Sequence, residues 1–538
     1  MRTQGVPDGL ITPYGGELCD LMAGPHAAAG LRSESTNWPS WDLDARQLCD
    51  LELLLNGGFS PLRGFMGRAD YESVCSSMRL ADGTLWPVPM CLEVSAEFAS
   101  QVGPGARVAL RDHEGVMLAA LQIEDLWQPD LLEGSYYAGG ALQGLQLPLH
   151  YDFKDLRATP AELRRQLLGA GWQKVAAFRP PGVVHRAEQQ STLRAVQDAG
   201  ANLLIHPEVG TAGAGDMQHY ARVRAYRHAL AAYPPGSARL ALLNQPSPVA
   251  GDRETLLQAI VSRNHGCTHL VVPKELQELV GKHEAEIGVQ ALPLRTMVFV
   301  SGKNAYIPEA EVAAGEGTLG FSEAQLGAAL KRGDDVPEWF SFPEVIEEMR
   351  TAHPPLARRG FTVFFTGFSG SGKSTIANVL LVKLLEKGGR PVTLLDGDRV
   401  RKLLSSELGF SKQHRDMNIR RIGFVASEIT KNGGAAICAP IAPYELVRRE
   451  VAQMIGAVGG FILVHVSTPL EVCERRDRKG LYEKARAGIV TEFTGVSDPY
   501  EEPSAADLTI DTTDIEPEEA AGVVLEYLAS EGYIGAAG

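Results

Sequence analysis

The sequence feature that most constrains the fold of this chain is the stretch 361–375, Phe-Thr-Val-Phe-Phe-Thr-Gly-Phe-Ser-Gly-Ser-Gly-Lys-Ser-Thr. Its apolar first half suits a buried parallel strand. The glycines that follow allow a tight turn in which backbone N–H groups point at phosphate oxygens. Because the stretch also contains Gly-x-x-x-x-Gly-Lys-Ser, it predicts a phosphate-binding loop between a strand and a helix. The alternative is a chance match among 57 glycines, which the flanking strand and helix disfavour.

The side chains of the predicted loop have separate chemical tasks. Lys373 would supply a positive charge for the outer phosphates of a nucleotide, and the Ser374 hydroxyl would be a ligand for Mg²⁺. The helix after the loop would direct the positive end of its dipole at the same phosphates. The predicted nucleotide-binding residues are Gly367, Ser369, Gly370, Ser371, Gly372, Lys373, Ser374 and Thr375.

Composition excludes some classes of function. The 538 residues carry a net charge of −15, whereas general nucleic-acid binding requires a basic surface. Seven scattered cysteines without a Cys-x-x-Cys pair indicate a reducing compartment, and neither a disulfide framework nor a zinc site. No apolar signal segment and no run of membrane-spanning length are evident. We therefore expect a cytoplasmic protein with neither a nucleic-acid nor a membrane partner.

The pattern of apolar runs predicts a multidomain α/β protein. Residues 1–160 contain short apolar runs between frequent turns, which is typical of a β-rich domain. Residues 161–350 alternate strand-like and helix-like runs, as in a parallel α/β domain. Residues 351–360 form a proline-containing linker. Residues 361–538 again alternate strands and helices, which predicts a doubly wound parallel sheet around the phosphate-binding loop.

The second predicted strand after the linker ends in Asp396-Gly397-Asp398. Carboxylates at such a strand end can hold Mg²⁺ or accept a proton from an attacking hydroxyl. The alternative is a plain turn, but phosphoryl transfer requires a metal and a base beside the transferred group. The predicted catalytic residues are Asp396, Lys373 and Asp398, and the predicted Mg²⁺ ligands are Ser374 and one of the two aspartates. The pattern leaves open which aspartate is the base.

Cationic and aromatic residues follow this turn. Arginines 399, 401, 415, 420 and 421 cluster in an acidic protein. Some would be solvated helix surface, and others would bind an anionic co-substrate bidentately. Phe410 and Phe493 stand in polar, glycine-containing loops, where a ring can stack on a purine base or pack into the core.

Together these blocks resemble adenylylsulfate kinase (APS kinase) over residues 360–538. The matching stretches are 367–375, 395–401, 408–411, 415–423, 476–482 and 493–495. The resemblance implies a P-loop kinase that uses Mg²⁺ and takes ATP and adenosine 5′-phosphosulfate (APS) as substrates. The substrate-binding residues that it implies are Arg401, Phe410, Arg415, Asn418, Ile441, Lys479, Gly480, Leu481 and Phe493. By this resemblance, Asp396 would be a Mg²⁺ ligand or the base, supported by Asp398. Phe410 and Phe493 would enclose the adenine of APS, and residues 479–481 would lie in a lid.

One departure from the APS kinase pattern concerns the mechanism. The family usually has Ile-Ser-Pro-Tyr where this chain has Ile-Ala-Pro-Tyr at 441–444. Because Ala442 cannot carry a phosphoryl group, we expect direct in-line transfer from ATP to the ribose 3′-hydroxyl of APS.

The N-terminal half resembles ATP sulfurylase (sulfate adenylyltransferase), with its PUA-like and nucleotidyltransferase-like domains. The resemblance is carried by residues 10–16, 48–53, 58–66, 201–210, 221–226 and 264–269. The catalytic motif Gln-Thr-Arg-Asn-Pro-x-His-x-x-His, however, reads Arg-Pro-Pro-Gly-Val-Val-His-Arg-Ala-Glu at 179–188. Pro181 and Glu188 stand where the family has its arginine and its second histidine. His185 remains, either as a nucleotide contact or as a structural residue.

Two further loops of the N-terminal half lack cationic residues that the family has at these positions. An arginine is replaced by Pro248, and Gly-Arg-Asp-His is replaced by residues 273–276, Pro-Lys-Glu-Leu. Joining sulfate to the α-phosphate of ATP brings two anions together and requires fixed cationic donors, a role that proline cannot fill. Arg179 and Lys274 are the residues that could compensate.

These observations predict an adenylyl-sulfate kinase whose sulfurylase-like domain is catalytically inactive. One alternative is an active bifunctional enzyme that makes APS and then phosphorylates it. Another is that the N-terminal half is an oligomerisation scaffold or a nucleotide sensor. Because both resembled families commonly assemble, we expect a homo-oligomer.

Overall fold

The computed structural model describes residues 9–129, 134–210, 217–246, 251–477 and 479–535. The chain divides into two compact units. The first, the N-terminal unit, comprises the described residues up to Ser322 and residues 336–352. The second, the kinase unit, comprises residues 323–335 and the described residues from His353 onward. The structure thus groups residues 323–335 with the kinase unit, whereas the sequence pattern predicted them in the domain that ends at residue 350.

The N-terminal unit begins with a six-stranded sheet, as the β-rich pattern predicted. Its strands are β1 (Ser40–Asp42), β2 (Gly64–Phe65), β3 (Leu92–Ser95), β4 (Arg107–Arg111), β5 (Met117–Trp127) and β6 (Ser135–Gly144). The order is β1-β4-β5-β6-β2, with β3 also paired to β6. The helices of this part are α1 (Pro25–Glu34), α2 (Ala45–Leu55), α3 (Arg68–Ser77) and α4 (Ala96–Ala99).

Local sequence fixes both ends of α2. At its start the carboxylate of Asp44 accepts a 2.8 Å hydrogen bond from the backbone N–H of Gln47, and the Gln47 side chain accepts one of 3.2 Å in return. This reciprocal cap satisfies two backbone donors that a helix start leaves unpaired. Soon after the helix ends, Gly57 adopts a φ of +83°, which glycine reaches without a steric cost. A reciprocal cap at the start and a glycine just after the end therefore set the length of α2.

The N-terminal unit continues with a five-stranded parallel sheet. Its strands are β7 (Val175–Phe178), β8 (Asn202–Ile205), β9 (Ala238–Leu240), β10 (His269–Pro273) and β11 (Gln290–Leu294), in the order β11-β10-β7-β8-β9. Its helices are α5 (Pro160–Gly169), α6 (Arg186–Ala199), α7 (Met217–Leu230), α8 (Asp252–Asn264), α9 (Gln277–Lys282) and α10 (Glu284–Ile287). The winding direction reverses between β7 and β10, so the loops after these two strands flank the topological switch point of the sheet.

A short antiparallel sheet and two helices connect the units. The strands are β12 (Met297–Val300), β13 (Ala305–Pro308) and β14 (Thr318–Leu319). Helix α11 (Glu323–Arg332) then belongs to the kinase unit, whereas α12 (Pro343–Ala352) belongs to the N-terminal unit. There α12 packs on α7, and Arg224 donates a 2.7 Å hydrogen bond to Glu348.

The kinase unit is a five-stranded parallel sheet, which confirms the predicted doubly wound fold. Its strands are β15 (Phe361–Thr366), β16 (Val392–Asp396), β17 (Ala435–Ala439), β18 (Gly460–Val466) and β19 (Leu508–Ile510), in the order β16-β17-β15-β18-β19. Its further helices are α13 (Lys373–Lys387), α14 (Gly397–Leu403), α15 (Lys412–Lys431), α16 (Glu445–Gly456), α17 (Leu470–Arg476), α18 (Leu481–Arg486) and α19 (Pro517–Ser530).

Strand β15 is buried on both faces. Phe361, Val363 and Phe365 pack in a core with α13 and α19, and Phe364 packs in a second core with α15 and α16. Such a strand reads as one continuous apolar run, which is why the sequence predicted it. No described helix is long and apolar enough to cross a lipid bilayer.

Candidate functional site

The predicted phosphate-binding loop occupies residues 367–372, between β15 and α13. Two of its glycines are sterically required. A Cβ on Gly367 would lie 2.4 Å from the carbonyl oxygen of Val466, and a Cβ on Gly370 would lie 3.0 Å from that of Cys473. Gly367 and Gly370 also have φ values of +140° and +77°. The loop can therefore lie close against the ends of neighbouring elements only with glycine at these positions.

The loop is held by hydrogen bonds from two threonines that were not predicted as site residues. The carbonyl oxygen of Ser371 accepts hydrogen bonds from Thr512 Oγ1 at 2.8 Å and from Thr468 Oγ1 at 3.2 Å. Arg476 donates to Thr512 Oγ1 at 2.8 Å. Thr468 and Thr512 lie two residues after the ends of strands β18 and β19. Their position at the carboxyl ends of parallel strands was the available signal, because these ends meet at one edge of a sheet.

The Lys373 ammonium folds back into the loop. Its Nζ donates hydrogen bonds to the carbonyl oxygens of Gly367 at 2.9 Å and Phe368 at 2.6 Å. The side chain is buried, and this burial lowers the pKa of Lys373 to about 8. Desolvation disfavours the charged form of a lysine, so an anion beside Nζ would restore part of the lost stabilisation.

Ser374 and Asp396 bring a hydroxyl and a carboxylate together at the ends of two elements. Ser374 Oγ donates a 2.8 Å hydrogen bond to Asp396 Oδ2. Mg²⁺ in nucleotide sites usually takes one or two protein oxygens and completes its coordination with phosphate and water. These two side chains fit that donor set, which makes them the residues that would hold Mg²⁺. The side chain of Asp398, the other predicted catalytic carboxylate, lies outside the described part of the structure.

Arg415 is fixed by a cluster of polar side chains. One terminal nitrogen donates to Thr494 Oγ1 at 2.9 Å. The other donates to the Tyr444 hydroxyl at 2.9 Å and to Asp498 Oδ2 at 2.8 Å. The Tyr444 hydroxyl itself donates to Asp498 Oδ2 at 2.6 Å. Burial, followed by this hydrogen bond to Asp498, raises the pKa of Tyr444, so the hydroxyl stays protonated.

Two buried polar atoms on α15 lack partners among the described residues. They are the Nε–H donor of Arg415 and the Oδ1 acceptor of Asn418. Both residues line the same cavity and lie three positions apart on one helix face. Buried polar atoms are seldom left unpaired, so the pair fits a ligand group that both accepts and donates, as a hydroxyl does.

The two predicted stacking rings have different surroundings. Phe410 is 65% exposed, and the Arg401 guanidinium lies 4.5 Å from its ring centroid. Phe493 contacts Tyr482 edge to face, with ring centroids 5.0 Å apart. The Tyr482 hydroxyl donates a 2.9 Å hydrogen bond to the carbonyl oxygen of Ser369 in the phosphate-binding loop. An exposed ring beside a cation, as at Phe410, suits stacking on a base better than core packing.

A single cavity of about 1280 Å³ brings most of the predicted residues together. The predicted site residues that line it are Ser369, Gly370, Gly372, Lys373, Ser374, Thr375, Asp396, Arg401, Phe410, Arg415, Asn418, Ile441, Lys479, Leu481 and Phe493. Gly367, Ser371 and Gly480 are outside this lining. Gly367 and Ser371 shape the loop, and Gly480 precedes α18 with a φ of +61°.

The segment after β17 closes one wall of the cavity. The Ile441 carbonyl oxygen accepts a 2.7 Å hydrogen bond from Thr366 Oγ1. Ala442, where the APS kinase family usually has serine, is buried and has a φ of +45°. Its carbonyl oxygen accepts a 2.7 Å hydrogen bond from Arg448. The backbone conformation of this wall is therefore held without a hydroxyl at residue 442.

In the N-terminal unit, Arg179 is already paired. It follows β7, and its guanidinium donates to Glu208 Oε1 at 2.8 Å and to Gln245 Oε1 at 3.0 Å. Its side chain is only 4% exposed. Lys274 follows β10 and is exposed. Of the two residues that could replace the missing family cations, one is neutralised by a carboxylate and the other faces solvent.

Two further residues of the stretch 179–188, which replaces the sulfurylase catalytic motif, make structural contacts. Glu188 accepts a 3.1 Å hydrogen bond from the His185 backbone N–H and so caps α6. The His185 ring lies 2.7 Å from Ser341 Oγ and packs on Phe340. Pro248, which stands where the family has an arginine, lies outside the described residues.

Comparisons with known proteins match the same division of the chain. The adenylylsulphate kinase family matches residues 359–511, the ATP-sulfurylase family residues 154–352 and the PUA-like domain family residues 11–135. Sulfate adenylyltransferases of Phaeosphaeria nodorum and Neurospora crassa are each 43% identical. The first alignment covers 97% of this chain and 99% of the relative, and the second covers 93% and 95%.

A solved structure is also similar over nearly the whole chain. It is a hexameric APS kinase from Thiobacillus denitrificans, with 43% identity and a TM-score of 0.87, and the match covers 98% of this chain and 99% of that one. The expectation of an inactive sulfurylase domain is not supported by the sulfate adenylyltransferase names of the curated relatives. The bifunctional alternative fits those names better. The chain belongs to the sulfate adenylyltransferase family and carries PUA-like, ATP-sulfurylase and adenylylsulphate kinase domains.

Proposed function

We propose that the kinase unit is an adenylyl-sulfate kinase, which transfers the γ-phosphoryl group of ATP to the 3′-hydroxyl of APS. The products are 3′-phosphoadenosine 5′-phosphosulfate (PAPS) and ADP. The observation that carries this proposal is the shared cavity of about 1280 Å³. Pockets for one ligand usually measure about 300–1,000 Å³, so this cavity offers room for two nucleotides. The phosphate-binding loop lines one part, and the arginine and phenylalanine set lines another.

The chain's own residues would position ATP by its phosphates. Backbone N–H groups of the loop and the start of α13 would bind phosphate oxygens, as helix N-termini do. Nζ of Lys373 would exchange its carbonyl partners Gly367 and Phe368 for phosphate oxygens. Mg²⁺ held by Ser374 and Asp396 would neutralise negative charge on the outer phosphates.

The acceptor hydroxyl would be presented from the opposite wall. Arg415 and Asn418 would bind APS through the two atoms that lack protein partners. In the transfer, the 3′-oxygen forms a bond to the γ-phosphorus while the bond from that phosphorus to the bridging oxygen of ADP breaks. The hydroxyl proton passes to Asp396 or to its neighbour Asp398. No phosphorylated protein intermediate is required, in keeping with Ala442.

The test is conversion of APS and Mg·ATP to PAPS and ADP by the full chain. We expect equal amounts of PAPS and ADP, and a loss of activity in Lys373→Ala. Exchange of the exposed Lys383, which is paired with Glu386, for alanine is the matched control and should leave the rate unchanged. Absence of PAPS formation by the unaltered protein would contradict the proposal.

We infer a second candidate activity, sulfate adenylyltransferase, for the N-terminal unit, because the curated relatives carry that name. The ion pair of Arg179 limits how this unit could bind sulfate. Arg179 is paired with Glu208, so sulfate would have to compete with this carboxylate or bind other donors.

Pyrophosphate release from ATP and sulfate by Lys373→Ala would test the second candidate without kinase turnover. If Arg179 holds sulfate, adding Glu208→Gln should lower the KM for sulfate, because the guanidinium loses its competing anion. Pyrophosphate at the background rate would reject the candidate and leave the N-terminal unit as a scaffold or nucleotide sensor.

We also propose that the chain forms a homo-oligomer. The similar structure from Thiobacillus denitrificans, which the chain matches over 98% of its length, is described as hexameric. Light scattering of the purified protein should give a mass that is a multiple of 57.9 kDa. A monomer across micromolar concentrations would contradict this proposal.

A further inference from the structure

We infer that Asp498 is a positioning residue for the APS-binding part of the cavity, an inference that rests on the proposed kinase function. Asp498 and Tyr444 do not line the cavity, whereas Arg415 and Thr494 do. Asp498 therefore acts through its neighbours and not by contact with substrate. Its carboxylate oxygen Oδ2 accepts hydrogen bonds from both Arg415, at 2.8 Å, and Tyr444, at 2.6 Å.

The carboxylate determines which atoms of Arg415 are available. Both terminal nitrogens are engaged by protein partners, the one by Thr494 and the other by Tyr444 and Asp498. Only Nε is left without a described partner. Because a guanidinium is planar and its donors have fixed directions, holding both terminal nitrogens also fixes the direction of Nε–H. The side chains of Arg415 and Asp498 are 11% and 17% exposed, so little water competes with this pair.

Asp498 also belongs to the turn that carries Phe493. The Gly495 N–H donates to the carbonyl oxygen of Asp498 at 2.8 Å, and the Phe493 N–H donates to Ser497 Oγ at 2.9 Å. The turn is thus closed on itself, and its Thr494 and Asp498 side chains are the two that bind Arg415. Asp498 therefore fixes the position of Arg415 relative to Phe493, the predicted adenine-stacking ring, although helix α15 and the turn are distant in sequence.

The ATP-binding part has its own hydrogen-bonded support, and its link to the Asp498 turn is indirect, through Phe493 packed on Tyr482. The phosphate-binding loop rests on Thr468 and Thr512, and neither residue contacts Asp498 through a described hydrogen bond. Loss of the Asp498 charge should therefore weaken APS binding selectively. A merely structural carboxylate would instead affect both substrates and the thermal stability together.

The test compares Asp498→Asn with Glu450→Gln in the full chain. Glu450, on α16, forms an ion pair of 2.7 Å with Arg420, which lies on the same helix as Arg415. This pair is more exposed, and Glu450 does not line the cavity. We expect Asp498→Asn to raise the KM for APS about 10- to 100-fold, the usual effect of losing a hydrogen bond to a charged group. The KM for ATP should change less than about twofold, and Tyr444→Phe should shift the KM for APS in the same direction. Glu450→Gln should change neither constant.

The outcomes separate this inference from the function on which it rests. If the unaltered protein makes no PAPS, the kinase proposal fails and this inference with it. If the unaltered protein is active and Asp498→Asn keeps its KM for APS, only the role of Asp498 is refuted. An equal rise in both KM values with a lowered Tm would also refute it, because Asp498 would then support the fold and not the APS site.

Discussion

Ser374 Oγ lies 2.8 Å from Asp396 Oδ2, so the hydroxyl in the first turn of α13 and the carboxylate at the end of β16 face each other. The two residues are 22 positions apart in the sequence. Ser374 lies in the helix that follows the phosphate-binding loop, and Asp396 is the last residue of β16. The contact places two hard oxygen ligands at the mouth of the phosphate-binding loop. It is the geometric basis for the proposed Mg²⁺ dependence.

Ser374→Ala should weaken Mg²⁺ activation without abolishing the fold. The variant retains the carboxylate of Asp396 but loses one of the two protein oxygens, so we expect the Mg²⁺ concentration for half-maximal activity to rise about tenfold. The measurement is PAPS formation at fixed ATP and APS over a range of Mg²⁺. Ser530→Ala, near the C-terminal end of α19, is the control; an unchanged Mg²⁺ curve for Ser374→Ala would contradict the assignment.

The affinity for ADP should fall as pH rises above about 8. Burial lowers the pKa of Lys373 to about 8. Below that pH the ammonium is charged and can bind phosphate, whereas above it the neutral amine must take up a proton before it can do so. Calorimetric titrations near pH 9 in buffers with different ionisation heats should therefore reveal proton uptake on binding. Lys373→Arg should remove the uptake, since arginine stays charged; uptake that persists in this variant would point to another group.

Phe410→Ala should weaken APS binding and leave ATP binding unchanged. Stacking of a base on an aromatic ring contributes about 1–3 kcal/mol, which corresponds to a rise in KM for APS of about 5- to 150-fold. Leu403→Ala is the matched control, because Leu403 is a similarly exposed apolar side chain, 74% exposed, that does not line the cavity. Equal effects of the two substitutions would show that the Phe410 ring has no specific role.

The stability of the N-terminal unit should fall as pH drops from about 4 to about 2. Burial alone would raise the pKa of Asp152, but hydrogen bonds from Arg157 and His219 outweigh it and hold the pKa at about 2. The stabilisation is therefore complete above the unfolded-state pKa, about 4, and is lost as the carboxylate is protonated.

Tryptophan fluorescence can measure this loss, because every tryptophan belongs to the N-terminal unit. They are Trp38, Trp41, Trp86, Trp127, Trp172 and Trp339. We expect Asp152→Asn to lower the urea midpoint at pH 7 and to flatten its dependence on pH below about 4. Asp155→Asn, which removes an exposed pair with Arg227, should have little effect. An unchanged midpoint in Asp152→Asn would contradict this account.

The sequence predicted the elements whose signals are local. One apolar run predicts strand β15. The glycines, at two of which the structure leaves no room for a Cβ, and Lys373 predict the phosphate-binding loop and the start of α13. Strand β16, which ends at Asp396, was predicted for the same reason. The roles of the residues around the cavity remain predictions, although the structure brings most of them together there.

The sequence did not predict contacts that depend on tertiary structure. Asp498 lies 83 residues from Arg415, and Thr512 lies 141 residues from Ser371, so no periodicity or spacing connects them. Both are ordinary polar residues in loops, where a turn or solvent exposure is the usual expectation. The pairing of Arg179 with Glu208 could not be predicted either, because a sequence does not show which charged residues meet in the fold.

The order of α11 and α12 has a consequence for how this protein could be divided. The chain contributes α11 to the kinase unit, then α12 to the N-terminal unit, and only then enters β15. Neither compact body is a contiguous stretch of polypeptide. A gene split at the proline-containing linker would leave the separate kinase without one of its own helices, and a split before α11 would take from the other product a helix that packs on α7. Each compact unit therefore contains two separate stretches of the chain, so no single cut in the polypeptide yields both units whole.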